Sequence, residues 1–80
     1  MTLAELPILA KARIVSLEGG SDDPSRRRLL ELGLHPGTEI AVCHRAPLGD
    51  PRCYGFRSTQ MCLRRSETSR IQVELLSLPA

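Results

Sequence analysis

The apolar residues of this 80-residue chain recur mainly in short segments with the two-residue period of β-strands, which limits the fold more than any other feature. Residues 71–75 read IQVEL, the cleanest alternation, and residues 39–45 read EIAVCHR. Shorter segments with the same period are CYGF at 53–56 and MCL at 61–63, and residues 11–17, KARIVSL, have the length and β-branched centre of another strand. About five short strands are therefore predicted, and small barrels, SH3-like or OB-like, close such a sheet.

One short α-helix is predicted after the first strand. Asp23 can cap it, Pro24 suits its first position, and SRRRLLEL continues it for about ten residues in all. Gly33 is placed to provide the left-handed residue that ends it. Pro36 and Gly37 then fit the second and third positions of a type II turn, so a strand should follow at once.

A tight hairpin is predicted between the CYGF and MCL segments. Ser58 and Thr59 occupy the positions of a two-residue turn, which would make Cys53 and Cys62 diagonal neighbours on one face of the sheet. The residues RSETS after Arg64 are interpreted as a short turn. The inward-facing residues of the resulting sheet are predicted to be Ile14, Ile40, Val42, Tyr54, Phe56, Met61, Leu63, Ile71 and Val73.

Length and charge favour a single soluble domain spanning residues 1–80, with its core within about 3–75. The net charge is only +2, and Tyr54 and Phe56 are the only aromatic residues, so nucleic-acid binding is not expected. No apolar run is long enough to span a membrane, and no signal peptide is recognisable, so we expect a cytoplasmic protein without direct membrane insertion. Three cysteines cannot all pair within one chain, which favours a reducing compartment.

Three segments, taken together and in order, resemble the FeoA family of ferrous iron transport proteins. They are RRLLELGLHPGT, then RAPLGDP, then LRRSET followed by IQVEL, and the similarity covers roughly residues 3–75. The resemblance implies an SH3-like barrel in a small cytoplasmic protein that assists the membrane transporter FeoB, whose cytosolic part contains a GTP-binding domain. It therefore implies an accessory or regulatory role in iron homeostasis, through protein–protein interaction at the inner face of the membrane.

The chain departs from the family pattern at two places, the entry to the first strand and the central hairpin. The family commonly has glycine after the first leucine-proline segment, where this chain has Leu9 and Ala10. It also tends to have glycine at the central hairpin, where this chain has Ser58.

The partner-binding residues are predicted to lie in two arginine-rich regions. Of the 11 basic residues 10 are arginine, which favours bidentate contacts with carboxylates or phosphates. One region is the first turn of the helix, where the helix dipole disfavours positive charge. Either an acidic partner surface offsets the charge of these arginines, or Asp22, Asp23 and an Arg27–Glu31 ion pair do so within the chain. The other is the loop RAPLGDP, which Pro47, Gly49 and Pro51 at minimum make a rigid bend. The predicted binding residues are Arg26, Arg27, Arg28, Arg45, Leu48, Gly49, Asp50 and Arg52, and the predicted turn residues are Gly33, Pro36, Gly37, Pro47 and Pro51.

A metal-binding or metal-responsive protein is the alternative function. Cys43, His44, Cys53 and Cys62 carry suitable donor atoms, but their spacing matches no ligand signature, and lone cysteines more often act as small buried apolar residues. We therefore expect no required cofactor and treat a divalent metal as adventitious.

No nucleophile motif or phosphate-binding glycine loop is present, so no enzymatic activity is expected. Weak self-association is left open.

Overall fold

The computed structural model describes residues 1–45 and 49–79, and five antiparallel strands form the sheet of this described part. The strands lie side by side in the order β4-β3-β2-β1-β5. The elements in chain order are β1 (Lys11–Leu17), α1 (Pro24–Glu31), β2 (Glu39–Arg45), β3 (Arg52–Phe56), β4 (Thr59–Leu63), α2 (Arg65–Thr68) and β5 (Ile71–Ser77). A mainly β fold of five short strands, with one short helix after the first strand, is thus confirmed.

The hydrophobic core lies on one face of the sheet, as the two-residue period predicts. Eight of the nine predicted inward residues are buried, and Met61 is half-buried against them. The core also contains residues from outside that set, because the N-terminal segment and α1 cover the sheet. These additional buried residues are Leu3, Leu6, Ala10, Ala12, Leu17, Leu29 and Leu34.

The ends of α1 are formed by the residues that the sequence indicated. The Asp23 side chain accepts a hydrogen bond from the Ser25 backbone N–H at 2.9 Å. At the other end Gly33 has φ +101°, and the Leu34 backbone N–H donates to the carbonyl of Leu29 at 3.1 Å. This is the Schellman arrangement, and it brings the buried Leu34 side chain back over the helix. The helix is eight residues long.

The turn before β2 is confirmed, whereas the turn between β3 and β4 is shifted by one residue. Gly37 has φ +93°, and the Thr38 N–H donates to the carbonyl of His35 at 3.0 Å, as in a type II turn. In the hairpin Phe56 pairs with Thr59, so Arg57 and Ser58 form the turn, with φ of 52° and 62°.

The prediction that Ser58 and Thr59 form this turn was therefore wrong. Two left-handed residues define a type I′ turn, for which Asn and Gly are the usual residues, and neither is present to mark the position. The shift changes the register: Cys53 lies directly opposite Cys62 and is not its diagonal neighbour.

Two elements did not show in the sequence pattern. Residues 1–10 form a segment, with a 3-10 turn at Leu3–Glu5, that closes over the core and forms a bridge from Thr2 to Gln72 of β5. The residues after Arg64 form the four-residue helix α2, which connects β4 to β5 and buries Thr68. Its shortness leaves no apolar period in the sequence to detect.

Candidate partner-binding surface

The helix α2 joins the two regions in which partner-binding residues were predicted. Its Glu67 forms an ion pair with Arg28 of α1. At its first residue, the Arg65 backbone N–H donates to the Asp50 carboxylate at 2.9 Å. The helix therefore lies between α1 and the end of the loop that precedes β3. We use the name arginine surface for the set formed by Arg26, Arg27, Arg28, Asp50, Arg64 and Arg65.

The charges of this surface are only partly neutralised within the chain. Arg27, Arg64 and Arg65 are exposed, and Arg28 is paired with Glu67. The Nε atom of Arg26 is buried without a hydrogen-bond partner among the residues described. An unpaired buried donor costs about 1–3 kcal/mol. The surface thus has positive charge available for an acidic partner.

Arg27 and Glu31 do not form the ion pair that could have offset the charge at the start of the helix. The ion pairs between described residues are Arg13–Glu39, Arg13–Glu74, Arg28–Glu67 and Arg70–Asp23. Glu67 of α2 pairs with Arg28, whereas Arg27 and Glu31 both stay exposed. Asp23 is occupied by Arg70, whose hydrogen bond holds the pKa of the Asp23 carboxyl below its usual range.

The guanidinium group of Arg52 is used inside the protein. Its Nη1 donates to the carbonyl of Leu6 at 2.7 Å, and its Nη2 donates to the carbonyls of Leu3 at 2.8 Å and Ala4 at 3.2 Å. Its Nε donates to the hydroxyl of Tyr54 at 3.0 Å, and the group stacks over that ring at 5.4 Å. Arg52 therefore holds the N-terminal segment on the sheet, and we do not include it in the arginine surface.

The loop RAPLGDP is described only at its ends. Pro47 and Leu48 lie outside the described residues, and for Arg45 only the backbone is described, which pairs with Arg52. Gly49 has φ +86°, and the Asp50–Pro51 peptide bond is cis. Strand β3 begins directly after Pro51, which agrees with the structural role predicted for that residue.

The cysteines lie in neighbouring strands, and Cys53 and Cys62 are in contact. The hydrogen bond with the Cys62 thiol, together with burial, raises the pKa of Cys53. The Cys43 Sγ atom accepts a weak hydrogen bond from Gln60 Nε2 at 3.8 Å. Within residues 1–45 and 49–79, however, no three His, Cys, Asp or Glu side chains gather as a metal site requires. Metal binding by Cys43, His44, Cys53 and Cys62 therefore stays a prediction.

Taken together, these features define a class of protein: a small β domain of SH3-like form with exposed arginines beside its short helices. No helix in the described part of the chain is long and apolar enough to cross a membrane. The family comparison agrees with this class. The model of the FeoA domain matches residues 1–75, and the chain belongs to the FeoA family.

Solved structures of the same form support the family and the fold. The zinc complex of FeoA from Stenotrophomonas maltophilia, described as a prokaryotic SH3 domain protein, is 36% identical and has a TM-score of 0.81. The match covers 92% of this chain and 89% of that one. A FeoA-like protein from Clostridium acetobutylicum is 31% identical, with a TM-score of 0.88 and coverage of 100% and 91%. The SH3-like fold predicted from the resemblance is thus confirmed.

A curated relative links the family to ferrous iron transport. It is the Fe(2+) transport protein A/Fe(2+) transporter FeoB fusion protein of Porphyromonas gingivalis, which is 40% identical over 77 residues. The match covers 96% of this chain, and the chain spans only 9% of that relative's length. The family is not a known enzyme family.

Proposed function

We propose that this protein is an accessory factor of ferrous iron uptake that binds the cytosolic, GTP-binding part of a FeoB-like transporter. The observation that carries the proposal is the fusion protein, in which a related domain and FeoB are one polypeptide. A fusion of this kind gives the two parts a high effective concentration, which favours partners that act together. The proposal places the protein in the cytoplasm, at the inner face of the membrane.

The contact is assigned to the arginine surface. Exposed guanidinium groups pair bidentately with carboxylates, and electrostatic complementarity chiefly raises association rates and specificity. Arg27 and Arg65 are exposed, and no ion pair within the described residues involves their side chains. Their side chains can be changed without breaking the ion pair between α1 and α2.

The proposal can be tested by titrating the purified protein against the cytosolic domain of the transporter, without nucleotide, with GDP and with a GTP analogue. We expect Arg27→Glu to weaken binding by about tenfold, equivalent to about 1.4 kcal/mol, and to reduce its salt dependence. The matched control is Lys11→Glu, which makes the same change of charge at the opposite end of β1 from α1.

Absence of binding in every nucleotide state would contradict the proposed function. If binding occurs but Lys11→Glu weakens it as much as Arg27→Glu does, the function stands and the assignment to the arginine surface fails. A divalent metal is not required in this proposal. Replacing all three cysteines by serine should therefore leave binding unchanged, whereas the alternative metal-dependent function would lose both metal affinity and iron uptake.

A further inference from the structure

Two thiols face each other across the hairpin formed by β3 and β4. The buried Tyr54 and Phe56 place their strand's alternate residues, Cys53 and Gly55, on the outer face of the sheet. Cys62 lies on the same face, directly opposite Cys53 in the register. Cys62 is exposed and Cys53 is half-buried, and both are free thiols. The pair is thus accessible to reagents in solution.

The turn fixes the type of strand pair in which these cysteines lie. In a two-residue hairpin the residues that flank the turn, here Phe56 and Thr59, exchange backbone hydrogen bonds, and such pairs alternate along the ladder. Counting back from the turn, Cys53 and Cys62 occupy a non-hydrogen-bonded pair, in which Cα atoms are about 4.5 Å apart. Disulfides span Cα separations of about 4.4–6.8 Å, so the backbone is already in range.

The third cysteine is held over a different part of the hairpin. A Cβ atom built on Gly55 would lie 3.1 Å from Cys43 Sγ, so this thiol packs against Gly55. Its contact with Gln60 places it over the pair Gly55–Gln60, which is two residues nearer the turn than the pair of cysteines. Cys43 is therefore a third thiol that competes for disulfide formation, but its Sγ atom already packs against Gly55 and accepts a weak hydrogen bond from Gln60.

We propose that Cys53 and Cys62 form a reversible intramolecular disulfide, which makes the β3–β4 hairpin a site of oxidative modification by small disulfides such as glutathione disulfide. The exposed Cys62 thiolate attacks a sulfur of glutathione disulfide, forms a mixed disulfide and releases one glutathione. Cys53 then loses its proton and attacks the Cys62 sulfur, and the second glutathione leaves. The two cysteines give up two electrons and two protons, and one glutathione disulfide becomes two glutathione molecules.

The chemistry of the pair fits these two roles. A raised pKa leaves less thiolate on Cys53, so the exposed Cys62 is the thiol that reacts first with an external oxidant. The second step needs no movement of the strands, because the mixed disulfide forms directly opposite the resolving thiol. The modification concerns this chain alone and does not depend on the proposed transporter partner.

The test exposes the full chain to glutathione disulfide, counts free thiols by alkylation after denaturation, and measures the intact mass. Three variants form a matched set: Cys43→Ser, Cys53→Ser and Cys62→Ser. We expect Cys43→Ser to lose both thiols and the mass of two hydrogen atoms, at least about tenfold faster than either other variant closes an internal disulfide, because only its two cysteines lie directly opposite each other in the strand register. Dithiothreitol should restore both thiols.

Peptide mapping of the oxidised wild-type chain is a second measurement that does not depend on the folding of any variant. We expect a linked peptide that contains Cys53 and Cys62. A dominant link to Cys43, equally fast closure in Cys53→Ser or Cys62→Ser, or only glutathione adducts and linked dimers would each overturn the proposal.

Discussion

Among residues 1–45 and 49–79, three residues other than glycine adopt left-handed backbone conformations, each of them in a tight turn. Leu9 has φ 68° at the third position of the turn that Ala10 N–H closes by donating to the carbonyl of Pro7 at 3.1 Å. Arg57 and Ser58 form the hairpin turn. A left-handed conformation costs an L-residue roughly 1–2 kcal/mol, which glycine avoids. Leu9 and Ser58 lie at the two places where the chain departs from the glycines of its family.

Replacing Ser58 by glycine should therefore stabilise the protein. The relief of backbone strain exceeds the greater loss of chain entropy of glycine, and we expect a net gain of about 0.5–1 kcal/mol in the free energy of unfolding. Urea denaturation measures it. The control is Thr59→Gly at a strand position, where we expect the free energy of unfolding to fall by a similar amount. Stabilisation by Thr59→Gly would mean that Thr59, not Arg57, shares the turn with Ser58.

The glycine that ends α1 gives the converse prediction. Gly33→Ala should cost about 1–2 kcal/mol, because the residue must keep its positive φ. A Cβ there would meet Phe56 Cε2 at 3.5 Å and Arg57 Nη1 at 3.9 Å, both ordinary contacts, so the cost is conformational and not steric. Gly20→Ala is the control, since no atom lies within 4 Å of its added Cβ and its φ is not left-handed. Equal thermal shifts for both variants would contradict this assignment.

At the scale of elements, the N-terminal segment depends on β3 for its position. Leu3 and Leu6 complete the core, and Arg52 holds the backbone carbonyls beside them. The segment also pairs with the sheet, as the Leu9 N–H donates to the carbonyl of Val42 at 2.9 Å. One side chain of β3 thus fixes a segment that is 46 or more positions away in sequence.

Replacing Arg52 by methionine should release this segment. We expect a loss of about 2–3 kcal/mol in stability, because several charge-assisted hydrogen bonds to buried carbonyls disappear together. Hydrogen exchange at Leu6 and Leu9 should accelerate more than at β4, which the segment does not contact through Arg52. Tyr54→Phe removes one hydroxyl partner only and should cost about 1 kcal/mol. Uniform acceleration throughout the sheet would indicate global destabilisation instead.

At the scale of the molecule, one ion pair joins the start of α1 to the residue before β5. Asp23 caps the helix and also pairs with Arg70, 47 positions along the chain. The hydrogen bond from Arg70, and then that from the Ser25 backbone, hold the pKa of Asp23 below its usual value of about 3.9. The stabilisation is therefore present above that value and is lost as the pH falls through the lower pKa of the folded state.

This linkage predicts a difference between two variants at acidic pH. Wild type should lose stability between about pH 6 and pH 3, and Asp23→Asn should lose less, because asparagine keeps the helix cap but has no carboxyl to protonate. Urea denaturation at both pH values measures the difference. Asp22→Asn serves as the control, since Asp22 is exposed and forms no ion pair with the described residues, and it should follow wild type. Identical pH dependence in all three proteins would exclude the linkage.

The sequence by itself determined the elements whose cause is local. β1, β2, both ends of α1 and the type II turn follow from period, caps and turn residues that act within a few positions. The two-residue period also correctly predicted eight buried residues of the sheet. The family resemblance indicated the SH3-like form, and the arrangement of the strands agrees with it.

Only the tertiary structure decided what depends on distant residues. Arg28 pairs with Glu67 and not with a residue of its own helix. Arg52 was predicted to bind a partner, but its guanidinium group holds the N-terminal segment by hydrogen bonds within the protein. The residues RAPLGDP were predicted to form at least a rigid bend, but nothing in the sequence indicated that α2 holds the Asp50 near its end. The register that sets Cys53 against Cys62 followed from a turn with no glycine or asparagine to mark it. Short-range preferences cannot specify such pairings, because their free energy comes from contacts that exist only once the sheet has formed.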